Sequence, residues 1–403
     1  MIPKQEILER ASDWNLRPEV VEKDYVLGWL LAAISQHAAV QAEWVLKGGT
    51  CIKKCFFETY RFSEDLDFSL SAAAPYDDAH LLTMLREVAD SASVLSGIRF
   101  NLEDIILKER HDKAGRVTFE GRIGYQGPLS VPTWPRIRFD ITQHEPILLP
   151  PAIRSILHPY TDFLPEGTGV RTYAFEELLA EKARALYERT RPRDLYDVAY
   201  VLDNLEDPLD TALARNTFFK KCRSKQFEPP SAVQIVTRVR ESEELRADWD
   251  AMLTHQLPYS VPIDGAIERL DRALAWLAEQ VPAQIVGTST RLPTAPTAAA
   301  GGAIAPRDMR GGSLELLRFA GANRLLVAFD YAFKPRIVEP YSLRWAKTTG
   351  NLLFYGWELS TGQIKCFIVP KMSRVRVLER TFAPRYHVEL GIPGAITRGP
   401  WRW

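Results

Sequence analysis

Two aspartates separated by a single residue, Asp65 and Asp67, follow a glycine-rich turn at short range. Residues two apart in a strand point to the same face, so both carboxylates would emerge side by side. Two like charges that close repel each other unless a cation lies between them. Asp is also uncommon in strands, and magnesium prefers hard oxygen ligands. The pair therefore predicts a divalent-cation site, and the alternative is an exposed strand with ordinary acidic residues.

The residues around this pair are of the types that phosphate chemistry uses. Glycines let a backbone approach a phosphate closely, and ammonium, guanidinium and hydroxyl groups donate to its oxygens. The residues predicted to hold a nucleoside triphosphate are Lys47, Gly48, Gly49, Thr50, Arg61 and Ser63. Together with the aspartates they predict a metal-dependent nucleotidyltransferase.

A second strand is predicted to bring a third carboxylate to the same place. Residues 65–70 alternate between polar and apolar types, which predicts a half-buried strand, and residues 136–142 repeat the pattern. Asp140 lies on the polar face of this second strand and is predicted to be a third metal ligand. The alternative is an edge-strand aspartate paired with Arg138.

The helical sequence that follows contains further candidates. Lys182 lies on or beside the apolar stripe of a helix predicted over residues 175–186, where a lysine either extends to water or contacts phosphate in a cleft. Asp194 and Asp197 lie in the first turn of a helix that Pro192 opens, where a carboxylate also benefits from the helix dipole. Their spacing leaves both capping and catalysis open.

Two basic clusters are also candidates, for contact with a nucleic-acid backbone. Most charge runs are solvated faces, and that alternative stays open. The clusters consist of residues 220–225, and of Arg184, Arg189, Arg191 and Arg193.

Composition places the chain among soluble globular proteins. It has 403 residues, 46% hydrophobic and 25% charged, with a formal net charge of +0, so any polyanion site must be a local patch. The four cysteines are scattered without zinc-type pairing. No apolar run reaches the roughly 18 residues that span a membrane. We therefore expect a cytoplasmic protein that makes no membrane contact.

The predicted fold class is α+β, with five segments. Residues 287–312 are rich in Thr, Ala, Pro and Gly and predict a flexible linker. The segments are a mixed-sheet lobe with helices (1–172), a helical lobe (173–286), the linker (287–312), a small β-rich module (313–390) and a tail (391–403).

Several motifs, in order, resemble the AbiEii/AbiGii-type toxin nucleotidyltransferases of bacterial toxin–antitoxin and phage-defence (abortive infection) systems. The resemblance covers most of residues 15–205. Its motifs are Glu22-Lys23-Asp24-Tyr25, Lys47-Gly48-Gly49-Thr50, Arg61-x-Ser63-x-Asp65-Leu66-Asp67, Ala180-Glu181-Lys182 and Arg193-Asp194-Leu195-Tyr196-Asp197.

This resemblance implies a nucleotidyltransferase-type fold and a set of roles. Nucleotide and metal, Mg²⁺ or Mn²⁺, would bind at the Ser63, Asp65 and Asp67 stretch. Lys182 and a later aspartate would be essential, Asp197 more than Asp194 by motif order. The implied activity adds NMP from an NTP to RNA, notably the acceptor end of tRNA, which blocks translation. The implied partner is a cognate antitoxin.

The module after the linker resembles a WYL domain, an SH3-like β-barrel that binds nucleotides or nucleic acid as a regulatory ligand. Phe354-Tyr355-Gly356 stands where that family has Trp-Tyr-Leu. The residues predicted to bind the ligand are Arg336, Tyr341 and Tyr355. We expect the module to restrain the transferase until its ligand binds.

Two other functions compete with RNA modification. A protein hydroxyl is an alternative acceptor for the nucleotide. Alternatively, the chain is a non-catalytic regulator that senses a nucleotide or nucleic acid, although an inactive lobe would have no need of Ser63, Asp65, Asp67 and Lys182.

Overall fold

The computed structural model describes residues 1–71, 77–111, 117–143, 145–205, 208–278, 312–332, 334–346 and 350–390. It confirms the α+β class. The predicted linker, apart from Gly312, and the predicted tail lie outside the described residues. The described parts form a mixed-sheet lobe, a helical lobe and a C-terminal module.

The mixed-sheet lobe is built on eight strands. Their order along the sheet is β3, β5, β6, β2, β1, β8 and β7, and β4 also pairs with β5. The pairs β2–β6 and β1–β8 are parallel, and the others are antiparallel. The strands are β1 (Trp44–Lys47), β2 (Asp65–Leu70), β3 (Arg99–Phe100), β4 (Ile106–His111), β5 (Val117–Gln126), β6 (Arg136–Thr142), β7 (Ala152–Ser155) and β8 (Gly169–Thr172).

Five helices accompany this sheet. One of them, α2 (Pro18–Gln36), is buried almost all round, because apolar residues run without interruption from Tyr25 to Ile34. The helices are α1 (Lys4–Asp13), α2 (Pro18–Gln36), α3 (Ala38–Glu43), α4 (Gly48–Cys55) and α5 (Asp78–Ser96). Helix α4 starts immediately after β1, so the predicted glycine turn is the first turn of a helix.

The helical lobe follows the order that the sequence predicts. Pro192 occupies the first position of α7, where its missing N–H costs no hydrogen bond. The helices are α6 (Phe175–Arg189), α7 (Pro192–Asp203), α8 (Thr211–Ser224), α9 (Ala232–Glu241), α10 (Glu243–Leu253) and α11 (Ile263–Ala273). Among the described helices of the chain, none is long and apolar enough to cross a membrane.

The C-terminal module begins with a helix that the sequence patterns did not predict, α12 (Gly312–Ala322). Five antiparallel strands follow in the order β12, β11, β10, β9, β13. They are β9 (Leu325–Tyr331), β10 (Lys334–Trp345), β11 (Leu352–Glu358), β12 (Gln363–Ile368) and β13 (Ser373–Thr381). The two outer strands do not pair with each other over the described residues, so the sheet is open there and the predicted barrel is not closed.

The Glu22-Lys23-Asp24-Tyr25 stretch of α2 fastens the lobe together through buried polar contacts. Asp24 accepts from the Lys54 amine at 2.6 Å and from the Tyr160 hydroxyl at 2.9 Å. Burial alone would raise the pKa of Asp24, but the Lys54 and Lys53 amines hold it below its ordinary value. Because both charges are buried away from water, each is stabilised mainly by the opposite charge of the other.

The variant Asp24→Asn tests this pairing. It leaves the buried Lys54 amine without a counter-charge, so we expect the free energy of unfolding to fall by about 3–5 kcal/mol. The measurement is urea unfolding followed by tryptophan fluorescence. Asp271→Asn is the control, because its pair with Arg240 is more than half exposed and should contribute less than about 1 kcal/mol. Equal losses in the two variants would contradict the argument.

Candidate active site

The three predicted metal ligands lie on neighbouring strands at one end of the sheet. Asp67 and Asp140 are register partners in the parallel pair β2–β6, and Asp65 lies two residues before Asp67. Strand β6 lies between β5 and β2, so the edge-strand alternative for Asp140 is wrong. The sheet therefore places the three carboxylates side by side.

Among the described residues, these three carboxylates are unpaired, whereas most charged side chains near them form ion pairs. Within the described ranges, the side chains of Asp65, Asp67 and Asp140 make no hydrogen bond or ion pair. Burial, together with the Asp140 and Asp65 charges, raises the pKa of Asp67 to about 6, although Lys47 and Lys182 oppose the shift. Burial and the carboxylates of Asp65 and Glu120 also raise the pKa of Asp140. The site thus carries more negative charge than its surroundings neutralise.

The donor set suits magnesium or manganese. No group of three or more His, Cys, Asp or Glu side chains in the described parts of the chain is arranged as a metal cage. Magnesium does not require one, because it binds through one or two carboxylates with substrate phosphates and water. Asp65 and Asp67 offer such oxygen donors, and the raised pKa of Asp67 is the effect expected of carboxylates that lack a counter-ion.

The two glycines after β1 leave room for close contact with the site. Gly48 has φ +73°, and a Cβ there would lie 1.9 Å from Asp67 Oδ2. A Cβ on Gly49 would lie 2.9 Å from both Arg61 Nη2 and Ser63 Oγ. The Arg61 and Ser63 donors therefore converge on the Gly49 backbone, as an anion site needs.

Lys47 and Thr50, two of the predicted nucleotide-binding residues, have partners within the protein, as Arg61 also does. Lys47 pairs with Glu145 and lies 3.8 Å from Glu181 Oε1, and the Thr50 hydroxyl donates to the backbone carbonyl of Asp65. Burial would lower the pKa of Lys47, but Glu181 and Glu145 hold it well above its ordinary value. Their nucleotide-binding role stays a prediction.

The Lys47 pair is part of a buried network that the sequence analysis missed. Lys221 lies 2.8 Å from Glu177 Oε1 and 3.5 Å from Glu181 Oε2. Because Lys221 is fully buried, this member of the basic cluster at 220–225 is not available to a nucleic acid. The signal in the sequence was the Glu177–Glu181 spacing, which places two acids on one face of α6.

Arg61, Lys182 and Asp197 meet in a buried triad. The Arg61 guanidinium donates to both oxygens of Asp197, at 2.7 and 3.0 Å, and the Lys182 amine lies 2.7 Å from Asp197 Oδ2. Burial would raise the pKa of Asp197, but the two cations hold it well below its ordinary value. Gln256 Oε1 accepts a further hydrogen bond from Arg61 Nη1, at 2.9 Å.

Asp194 has a different partner. Arg189 donates to both of its oxygens, at 2.6 and 2.8 Å, whereas Lys182 lies 3.9 Å away. The two aspartates of α7 are therefore distinct in their contacts: Asp197 holds Arg61 and Lys182, and the buried Asp194 holds the half-exposed Arg189.

Among the described residues, the Arg193 side chain has no hydrogen-bond or ion-pair partner, and the charges of Asp65 and Glu64 act on it. Its Nε is buried and makes no hydrogen bond among the described residues. Burial and the Arg61 charge lower the pKa of Arg193, and Asp65 and Glu64 oppose them. By contrast, Arg184 is paired with Glu188.

The three residues predicted to bind a ligand in the C-terminal module have separate contacts. Arg336 pairs with Glu358, the Tyr341 hydroxyl donates to Glu339 Oε2 at 2.6 Å, and Tyr355 contacts Cys366. None of the contacts among the described residues links the three to one another, and their ligand-binding role stays a prediction.

No curated protein is a significant match to the sequence. Among solved structures, the chain is similar to MenT4, a nucleotidyltransferase toxin from Mycobacterium tuberculosis H37Rv, at 22% identity and a TM-score of 0.44, over 70% of this chain and 91% of that one. The family model described as nucleotidyl transferase AbiEii toxin, type IV TA system, matches residues 29–276, which is more than half of the chain. The chain therefore belongs to the AbiEii family of nucleotidyl transferase toxins.

Proposed function

We propose that this protein transfers NMP from an NTP to RNA, with the 3′ acceptor end of tRNA as the target, and thereby blocks translation in a toxin–antitoxin or phage-defence system. One observation carries the proposal. The unpaired carboxylates of β2 and β6 lie side by side, and the Gly48-Gly49 backbone lies directly against them. A cognate antitoxin is the partner that family membership implies.

The reaction is in-line attack by the RNA 3′ hydroxyl oxygen on the α-phosphorus of the NTP. The new P–O bond forms as the bond to the pyrophosphate oxygen breaks, and pyrophosphate leaves. Asp65 and Asp67, with Asp140 beside them, would hold Mg²⁺ or Mn²⁺. Such a cation, when bound, supplies neutralisation of the charge on the reacting oxygens.

The remaining groups orient the triphosphate. Ser63 Oγ and Arg61 Nη2, which also donates to Asp197, lie beside Gly49 and would donate to phosphate oxygens there. The Lys182 amine is near enough to Asp67 for its positive charge to lower the pKa of that carboxylate. Asp197 fixes the direction of both cations, which makes it a positioning residue. Catalysis of this kind depends on orientation and on charges arranged in advance.

The variant Asp65→Asn tests the assignment, because it removes a metal-binding charge at nearly constant shape. We expect transfer to fall by at least about 100-fold with the fold intact. The measurement is incubation of the protein with total tRNA, magnesium and each α-labelled NTP, beside near-UV circular dichroism. Undiminished labelling by the variant would refute the site.

The same assay separates the possible acceptors. Label on tRNA that disappears with Asp65→Asn supports the proposal. Label on protein in a lysate, with none on tRNA, would identify a protein hydroxyl as the acceptor. No transfer to either would favour the non-catalytic regulator.

A comparison of Asp197→Asn with Asp194→Asn tests which aspartate the reaction needs. Loss of Asp197 releases Arg61 and Lys182, so we expect transfer to fall about 100-fold, as for misplaced substrate-binding groups. Loss of Asp194 releases the half-exposed Arg189, and we expect a drop of about tenfold or less. The measurement is initial transfer rate per folded molecule. A larger loss in Asp194→Asn would reverse the two roles.

Arg193→Ala tests whether the unpartnered guanidinium binds phosphate. Hydrogen bonds to a charged group contribute about 1.5–3 kcal/mol, so we expect the KM for NTP to rise by about tenfold or more. Arg191→Ala is the matched control, because Arg191 is exposed and lies two residues away. An unchanged KM in Arg193→Ala, or an equal rise in both variants, would exclude this role.

A further inference from the structure

Helix α12 lies beyond residues 29–276, the part of the chain that the AbiEii model matches, yet it contacts the segments that carry the active site. We propose that α12 is a positioning element of the transferase, and that the ion pair between Arg318 and Glu58 holds the loop that presents Arg61 and Ser63. This inference rests on the proposed function.

The ion pair itself has the geometry of a specific contact. Arg318 Nη2 lies 2.7 Å from Glu58 Oε2 and Nη1 lies 3.2 Å from Oε1, so the pair is bidentate, with two guanidinium nitrogens facing two carboxylate oxygens. The Arg318 side chain is only 7% exposed, and Glu315 of the same helix is a second acceptor at 3.2 Å. Such a pair holds both side chains in one orientation, because separating a buried guanidinium from its carboxylate costs free energy.

Glu58 lies three residues before Arg61 on the loop that joins α4 to β2. The next residue, Thr59, shares a 2.7 Å hydrogen bond with the Tyr200 hydroxyl of α7. The ring of Tyr60 lies 5.4 Å from that of Tyr200 and 6.0 Å from that of Tyr196. The loop is therefore held between α12 on one side and α7 on the other, with Arg61 at its centre.

The C-terminal end of α12 and the residue after it also contact α7. The Tyr196 hydroxyl donates to Asn323 Oδ1 at 2.9 Å, and Asn204 donates to the Ala322 carbonyl at 2.9 Å. Tyr196 is the immediate neighbour of Asp197. Both partners of the Arg61–Asp197 pair thus lie on segments that the C-terminal module contacts.

A third contact reaches the segment that carries Gln256. Phe62 N–H donates to the Gln256 carbonyl at 2.9 Å, and Gln256 Oε1 accepts from Arg61. Three residues further on, the ring of Tyr259 lies 6.0 Å from that of Phe319 in α12. Among the described residues, the two segments whose side chains accept from Arg61, those of Asp197 and Gln256, therefore each contact α12 or the residue that follows it directly.

The experiment uses the full-length protein and the variant Arg318→Gln. We expect the affinity for NTP to fall about tenfold, because Arg61 and Ser63 lose their fixed direction, while kcat changes less. Glu58→Gln should give the same loss, and the double variant should lose no more than either single variant, since all three break one contact. Arg318→Lys, which keeps the charge, should recover part of the affinity.

Arg344→Gln is the matched control. It breaks an arginine–glutamate pair in the same module, with Glu389, whose side chains are 42% and 36% exposed. We expect its affinity for NTP and its kcat to stay at the wild-type values.

Hydrogen exchange of residues 56–64 is the readout that does not need activity. We expect faster exchange of this segment in Arg318→Gln and unchanged exchange in Arg344→Gln. Unchanged exchange would overturn the proposal, and so would faster exchange with unchanged NTP affinity, since the contact would then be structural only. A wild-type protein that transfers no nucleotide would refute the proposed function, and the exchange comparison would still decide whether α12 holds the loop.

Discussion

The active site depends on one buried carboxylate, Asp197, that accepts from two cations belonging to distant parts of the chain. Arg61 comes from the loop before β2 and Lys182 from α6, and Asp197 itself lies on α7. A buried charge without a partner is costly, so these three segments can be brought together only in the arrangement that satisfies all three groups. The triad thus orients the donors and joins the helical lobe to the sheet.

The same physical constraint operates at two other places. Lys54 and Asp24 pair within the core between α2 and α4, and Lys47 pairs with Glu145 and shares Glu181 with Lys221. In each case the buried charge is compensated inside the protein by a group from another segment of the chain. The carboxylates of Asp65 and Asp67 are different, because no described cation pairs with them and a ligand can supply the missing charge.

The C-terminal module is in contact with the transferase lobes. A linker rich in Thr, Ala, Pro and Gly suggests two independent bodies, and the AbiEii match ends before that linker. However, Arg318 and Asn323 make buried contacts with Glu58 and Tyr196, which belong to the transferase lobes. The module that we expected to separate and restrain is therefore in contact with the loop that presents Arg61.

The sequence by itself determined the strands that carry the aspartates and the motif order that identifies the family. Alternation predicts β2 and β6 at their observed bounds, because one buried face imposes a period of two. It could not give the different partners of Asp194 and Asp197, since residues three apart share a helix face, nor tell a paired Lys47 from a free one. Only the tertiary structure decided those, because a side chain's partner comes from another segment of the chain. The bond from Asp197 to Arg61 spans 136 residues, and that from Arg318 to Glu58 spans 260.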